Sequence, residues 1–253
     1  MQKAVPQLVP LPESEKVSIS VFLPCYNEEE NVARTAAGAI EVLKAISNDY
    51  ELIIVDDGSA DSTGEIADSL AKNDPHIKVV HHPANRGYGG ALQSGFRAAT
   101  KELVFYTDGD GQFDMAELPQ FLPLIKQYDI FSGYRMNRQD NFVRKINAFC
   151  WGKLVNFVFG MRLRDIDCSF KLYKRSIFDN IKMCSTGALI DAEIMARALR
   201  KGYSVVQRGV HHYPRTAGKA TGAKLSVIIR AFKELLALRK QILKDDPNAA
   251  CTK

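Results

Sequence analysis

Cysteine is sparse and unpaired: Cys25, Cys150, Cys168, Cys184 and Cys251 are odd in number and widely scattered over 253 residues. This excludes a disulfide framework and a thiolate metal site, and it points to a reducing, cytosolic compartment. No apolar run approaches the length of a membrane span. Met1 to Glu15 holds Pro6, Pro10 and Pro12 without an apolar h-region, so residues 1–15 read as a flexible lead and not as a signal peptide. A strong charge of one sign is also missing. The formal net charge is +5 and the pI near 8.9, too mild to argue for nucleic acid but suited to an anionic partner such as a nucleotide, a lipid phosphate or a membrane surface. The glycine signatures of phosphate binding are incomplete. There is no G-K-[ST], which excludes a P-loop, and Asn85-Arg86-Gly87-Tyr88-Gly89-Gly90 fails the dinucleotide fingerprint because its third glycine falls on Leu92. What remains, 46% hydrophobic and 25% charged residues, is ordinary globular composition with ample core.

Apolar runs and polar loops alternate along the first half. Val17 to Leu23 is rich in β-branched residues and ends at Pro24-Cys25-Tyr26-Asn27-Glu28, a first strand with a ligand-facing loop; a helix follows from about Glu29 to Lys44. Glu51 to Val55 reads as a second buried strand ending in Asp56-Asp57-Gly58-Ser59, with Asp61 or Ser62 capping a helix that runs to about Lys72. Ile77 to His81 is a third strand, and a small-residue helix runs from the Gly87 loop to about Thr100. Leu103 to Tyr106 is a fourth, after which Asp114 and Glu117 make a capping-box-like helix start. This alternation implies a parallel sheet with right-handed crossovers, and the polar residues at the strands' carboxyl ends place the site along one edge.

The organising stretch is Tyr106-Thr107-Asp108-Gly109-Asp110-Gly111-Gln112-Phe113-Asp114. Asp108, Asp110 and Gln112 are all oxygen donors, the hard set that suits Mg²⁺ or Mn²⁺, and Gly109 and Gly111 let the backbone bend so that alternate side chains converge. Taken alone, such a cluster is most often a surface turn. Three acid-bearing loops on one edge make turn chemistry a poor account of all of them.

Pro24-x-Tyr26-Asn27-Glu28, Val55-Asp56-Asp57-Gly58-Ser59, Asn85-x-Gly87 and Asp108-x-Asp110-x-Gln112, in that order, resemble the inverting family 2 glycosyltransferases of GT-A fold. Within that family the chain is most similar to the polyprenyl and dolichol phosphate hexosyltransferases, mannosyltransferases among them, from about Val17 to about Leu236. The resemblance implies a Rossmann-like, mostly parallel sheet flanked by helices, over residues 16–223, with a C-terminal amphipathic helix and tail over 224–253. It implies that Pro24, Tyr26, Glu28 and Asp57 line the base and ribose pocket with Asp56 and the Gly87 loop close by, and that Asp108, Asp110 and Gln112 hold the metal bridging a nucleotide sugar's diphosphate. Arg135 and Arg144 match the family's acceptor-phosphate arginines. Asp165 to Lys171 matches its D-x-x-x-G-F-[KR] segment, with Ser169 in place of the glycine. Arg215 to Lys219 matches its loop near the leaving diphosphate, with Arg215 and Lys219 as the cations.

The second half has patterns of its own. Asn141 to Gly160 carries Phe142, Ile146, Phe149, Cys150, Phe157 and Val158 at near-helical spacing among Arg144, Lys145 and Lys153. Lys224 to Lys244 repeats the theme with Leu225, Ile228, Ile229, Phe232, Leu235, Leu236 and Ile242. Each reads as an amphipathic helix, docked on the core or lying in a lipid interface. Tyr213 to Ala223, with Pro214, Gly218 and Gly222, reads as a mobile basic loop. His81-His82 and His211-His212 are not metal sites, since neighbours on a strand point to opposite faces. If the acceptor is a lipid monophosphate it is already anionic and needs no protein base. If it is a sugar hydroxyl, Asp191 or Glu193 is the candidate base, against the plainer reading of a polar helix start. The reading is a metal-dependent transferase peripheral to the cytosolic face of a membrane, alone or with a membrane-protein partner; a glycan-extending enzyme and a non-catalytic nucleotide-sugar-binding module are the alternatives.

Overall fold

Parallel strands flanked by helices bury both faces, and β1 (Ser18–Cys25) shows what that requires of its residues. Ile19, Val21 and Leu23 enter one hydrophobic cluster and Phe22 the other, as the two-residue period of a strand dictates. The computed structural model describes residues 8–136, 142–215 and 225–245; the side chains of residues 142–147 and 225–233 lie outside that description. After β1 come α1 (Val32–Ile46), β2 (Asp49–Asp56), α2 (Thr63–Asn73), β3 (Ile77–His81), α3 (Tyr88–Ala98) and β4 (Leu103–Tyr106). These follow the order that hydrophobic periodicity predicts, with boundaries shifted by a few residues.

Asp61 does serve as the cap of α2: its carboxylate accepts the Thr63 N–H at 3.0 Å, while Ser62 makes no side-chain cap. At Met115–Phe121 the capping box is only half formed. Asp114 accepts the Ala116 N–H at 3.0 Å, but the element is a 3-10 helix, and Glu117 points away to take the His211 N–H. Pro119 within that turn removes a donor that a regular α-helix needs. A short α4 (Leu122–Ile125) then leads to β5 (Ile130–Met136), α5 (Phe142–Phe159), β6 (Lys171–Lys174), α6 (Ile177–Asn180), α7 (Ile190–Arg200), β7 (Val205–His211) and α8 (Leu225–Asp245).

The seven strands lie in the order β3-β2-β1-β4-β6-β5-β7. Six share one direction and β6 runs against both neighbours, because the chain returns from α5 at the carboxyl edge of the sheet. That reversal sets Lys171 opposite Tyr106 and Ser132, and it places the segment 165–170 beside the loop after β4. One face of the sheet packs on α1, α2 and the turn 115–125; the other packs on α3, α5, α7 and α8.

The two amphipathic helices both meet this second core. Among the described side chains of α5 the buried one is Val155, with Trp151, Leu154, Val158 and Phe159 packed partly against the core. Phe149 and Phe157, expected on the apolar stripe, are 65% and 85% exposed, and Cys150 is exposed as well. On α8, Leu235, Leu238 and Ile242 are buried while Leu236 is exposed, and Arg197 pairs with Asp245 at 3.0 Å.

Candidate active site

Loops from the carboxyl ends of β1, β2, β4 and β7 enclose a cleft of about 490 Å³, within the roughly 300–1,000 Å³ typical of small-molecule sites. The structure brings together there Pro24, Tyr26 and Glu28 after β1, Asp57 after β2, Gly87 before α3, Asp108 and Asp110 after β4, and Arg215 after β7.

Each loop is tied to its neighbour. Asn27, in the left-handed region at φ 55°, accepts the Ala60 N–H at 2.8 Å and donates its own N–H to Ser59 Oγ at 3.0 Å. The Glu28 N–H reaches Thr63 Oγ1 at 2.8 Å. Gly109 is required by close approach, for a Cβ there would stand 2.5 Å from Cys25 Sγ. Gly87 has φ 82°, and a Cβ on it would sit 2.6 Å from the Thr186 carbonyl. The Gly89 and Gly90 N–H groups both donate to that carbonyl. The glycine-rich turn is thus packed by residues 185–187 and spends its amides on protein, a physical reason beyond Leu92 why it is no dinucleotide cradle.

Two nominated residues do not line the cleft. Asp56 sits behind it, accepting from the Ser59 N–H at 3.0 Å and paired with His81 at 3.0 Å; burial opposes its charge, but these partners hold the carboxyl below its usual range. Gln112 donates its amide to the Tyr213 carbonyl at 2.9 Å, and the Tyr213 N–H returns to the Gln112 carbonyl at 2.8 Å. This double tether carries Arg215 to the cleft. Its guanidinium donates to Glu28 Oε1 and lies 3.9 Å from Asp110 Oδ2.

Asp108 is held on both oxygens, by Tyr88 OH at 3.0 Å and by Ser169 Oγ at 2.6 Å. Burial, then repulsion from Asp110, still pushes its carboxyl up to about 7. Asp110 is raised as well, by burial first and by Glu28, against the Gln112 N–H and Arg215. Two half-buried carboxyls penalised in this way are the donor chemistry a hard divalent cation relieves. Among the described residues no cluster of three or more His, Cys, Asp or Glu side chains forms a closed metal cage. Asp108 and Asp110 alone would leave positions on such a cation for other oxygen donors. Ser169 and Tyr88 escaped sequence reasoning; the one visible signal was a hydroxyl where the resemblance calls for glycine.

A second cavity, of about 580 Å³, lies between β5, α5 and the 163–167 segment. Arg135 lines it, clamped by Asp165 through Nε at 2.8 Å and Nη2 at 2.5 Å, with the Arg135 N–H also on that carboxylate. Burial works against the arginine's charge and Asp165 more than restores it. Lys153, Arg164 and Asp167 share the lining, and Arg164 stacks 4.1 Å over the Tyr134 ring. The Arg144 side chain and all of Lys219 lie outside the described residues.

Asp191 and Glu193 line neither cavity. Asp191 is 1% exposed, accepting from Tyr106 OH and from Lys171 Nζ at 2.7 Å, while Lys171 also donates to the Cys168 carbonyl at 2.6 Å. Glu193 is 0% exposed, binding the Cys184 and Ser185 N–H groups and Arg197. Neither is a surface helix start, and neither is placed to serve as a base. The histidines diverge as strand geometry requires: His81 pairs with Asp56 and Asp68, His82 with Asp57 and Ser94.

Known proteins share both sequence and fold with this chain. An undecaprenyl-phosphate 4-deoxy-4-formamido-L-arabinose transferase of Proteus mirabilis is 32% identical over 230 residues, covering 88% of this chain and 69% of the relative. A dodecaprenyl-phosphate galacturonate synthase of Rhizobium johnstonii is 31% identical over 173 residues, 67% of this chain and 51% of that one. The chain thus spans about half to two thirds of the length of these relatives. Among solved structures, glucosyl-3-phosphoglycerate synthase from Mycobacterium tuberculosis, in complex with Mn²⁺, UDP-glucose and phosphoglyceric acid, superposes with a TM-score of 0.67 at 15% identity, over 89% of this chain and 79% of that one; at that identity it shows the fold alone. The profile described as Glycosyl transferase family 2 matches residues 20–182, which is most of the chain and includes the cleft loops that follow β1, β2 and β4, and the protein is a member of that family.

Proposed function

We propose that the chain transfers a hexose, with inversion, from a nucleoside diphosphate sugar to a polyprenyl phosphate at the cytosolic surface of a membrane. The observation that carries the reading is the pairing of two cavities, one acidic and one cationic, joined by a single short segment. Asp165 and Asp167 line the cationic cavity, while Ser169, two residues on, holds Asp108 of the acidic cleft. Support for the acceptor comes from the names of the two relatives, which act on undecaprenyl and dodecaprenyl phosphates.

In this reading the donor lies in the cleft, its base against Tyr26, which is 41% exposed, and Asp57, with the ribose toward Glu28. Asp108 and Asp110, the members of the nominated metal set that line the cleft, would hold Mg²⁺ or Mn²⁺, which when bound neutralises charge on the diphosphate. Arg215, 3.9 Å from Asp110, supplies a guanidinium where charge develops on the leaving group. Lys219 adds a second cation in the same segment. Arg135 and Arg144 position the acceptor phosphate, and the Asp165 clamp fixes the fork of Arg135 in advance. Because that phosphate has a second pKa of about 6, its oxygen is already anionic and no protein base is needed. The attacking oxygen forms its bond to the anomeric carbon as the bond to the diphosphate breaks on the opposite face.

Among the described residues no helix is long and apolar enough to cross a membrane. Exposed Phe149, Phe157 and Leu236 offer a surface for contact with the bilayer, unaided or beside a membrane-protein partner. The test is a product assay with Mn²⁺ or Mg²⁺, radiolabelled nucleotide sugars and a short polyprenyl phosphate. Label entering the organic phase from one donor is expected. No lipid product, with metal-dependent release of nucleoside diphosphate on adding a glycan, would overturn the acceptor assignment.

A further inference from the structure

His82 is absorbed neither by the proposed chemistry nor by the hydrophobic core. It follows β3, is 6% exposed, and engages both ring nitrogens: Nδ1 lies 2.5 Å from Asp57 Oδ1 and Nε2 lies 2.8 Å from Ser94 Oγ on α3. A carboxylate is acceptor-only, so Nδ1 carries the proton toward Asp57, while the Ser94 hydroxyl, which can donate or accept, holds Nε2. The Arg86 N–H donates to the same Asp57 Oδ1 at 2.9 Å. One oxygen of Asp57 is therefore occupied twice over, while Oδ2 has no hydrogen bond among the described residues. Asp57 itself lines the cleft. A buried histidine that ties off one oxygen of a cleft carboxylate turns a symmetric acceptor into a single directed one.

We infer that His82 is a positioning residue for base selection: held between Ser94 and Asp57, it aims one carboxylate oxygen at the donor's base, so that uridine and guanosine diphosphates are taken over cytidine and adenosine diphosphates. Uracil and guanine present a ring N–H on their pairing edge, which a fixed carboxylate oxygen accepts. Cytosine and adenine present a bare ring nitrogen there, and two acceptors facing one another in a buried site are disfavoured. A carboxylate free to rotate would find the exocyclic amino group of either base instead, so selection depends on the clamp as much as on the acid. This inference rests on the reading of the cleft as a nucleotide-sugar site.

The test is calorimetric affinity of the whole chain, with Mn²⁺, for UDP, GDP, CDP and ADP, together with donor KM and kcat. Wild type is expected to prefer the better of UDP and GDP to the better of CDP and ADP by about ten- to a hundredfold, the worth of one hydrogen bond to a charged group. His82→Ala should cut that ratio to below about threefold, raising donor KM far more than it lowers kcat, and His82→Gln, which can still donate to Asp57 and accept from Ser94, should restore most of it. If His82→Ala does not fold, Ser94→Ala decides, with an expected two- to fivefold fall in the ratio. Folded variants that keep the wild-type ratio, or that weaken all four nucleotides equally, would sink the inference while leaving the donor reading intact. A wild-type chain that binds none of the four overturns the donor reading and the inference with it.

Discussion

Asp108 keeps its place in a buried cleft because Ser169 and Tyr88 each donate a hydroxyl to it, yet burial and Asp110 hold the carboxyl near 7. Removing one donor should weaken the site without unfolding the protein. Ser169→Ala is expected to lower Mn²⁺-dependent nucleoside diphosphate affinity by about three- to thirtyfold, with a melting temperature close to wild type, read by calorimetry and thermal unfolding. Asp191 is the opposite case. Its partner Lys171 is 0% exposed, so Asp191→Asn strands a buried ammonium and should cost about 3–5 kcal/mol in chemical denaturation. A stable Asp191→Asn protein with selectively lost turnover would instead return Asp191 to consideration as a base. Ser169 and Asp191 were both visible in the sequence, one as a departure from glycine and the other as a polar helix start. Their roles were not, because they depend on which side chains the reversed strand β6 sets beside them.

Helix α8 presents two kinds of leucine one residue apart. Leu235 is 1% exposed and Leu236 is 66% exposed. Leu235→Ala should therefore destabilise the chain by about 2–5 kcal/mol, while Leu236→Ala should leave the melting temperature within error. The stripe of α8 was legible from its spacing, and so was its alternative at a lipid surface. On α5 the spacing misled, because Phe149 and Phe157 share a helical face with one another and not with the core-facing Val155. Acid sensitivity belongs to the strands on the far side of the sheet. Asp129, at the start of β5, accepts from Lys174 at 2.8 Å and from the Ser204 N–H and hydroxyl at 2.9 and 2.7 Å, and Lys174 first among these holds its carboxyl down to about 2. A depressed carboxyl stabilises the fold above its unfolded value of 3.8, and that contribution is lost as pH falls from there through about 2. Asp129→Asn should cost roughly 1–2 kcal/mol at pH 7 and converge with wild type near the folded value, as measured by denaturation across that range.

At the scale of the whole molecule, the acidic cleft and the cationic cavity are ordered along one sheet edge, and exposed apolar side chains lie on α5, which lines the second cavity, and on α8, which contacts α5. Arg239 on α8 bonds the Val158 carbonyl at 3.0 Å, which brings Leu236 toward the end of α5 that carries Phe157. Phe157→Ser combined with Leu236→Ser is expected to reduce flotation with anionic vesicles severalfold at an unchanged melting temperature; undiminished flotation would assign these residues elsewhere. Point substitutions are the sound test, since removing α8 entirely would also strip Leu235, Leu238 and Ile242 from the core. Local chemistry was enough to place the first four strands and the acidic loops after the first, second and fourth of them, because each is written in consecutive residues with a two-residue period and a turn signal, whereas β5 to β7 and the cations of the second half were not read from periodicity. Contacts between residues far apart in the chain were beyond that reach. Ser169 on Asp108, Lys171 between Tyr106 and Asp191, Gln112 on Tyr213 and His82 on Asp57 follow from strand order, from the one reversed strand and from which loops it sets side by side. Periodicity carries no record of those pairings, so they appear only once the sheet is assembled.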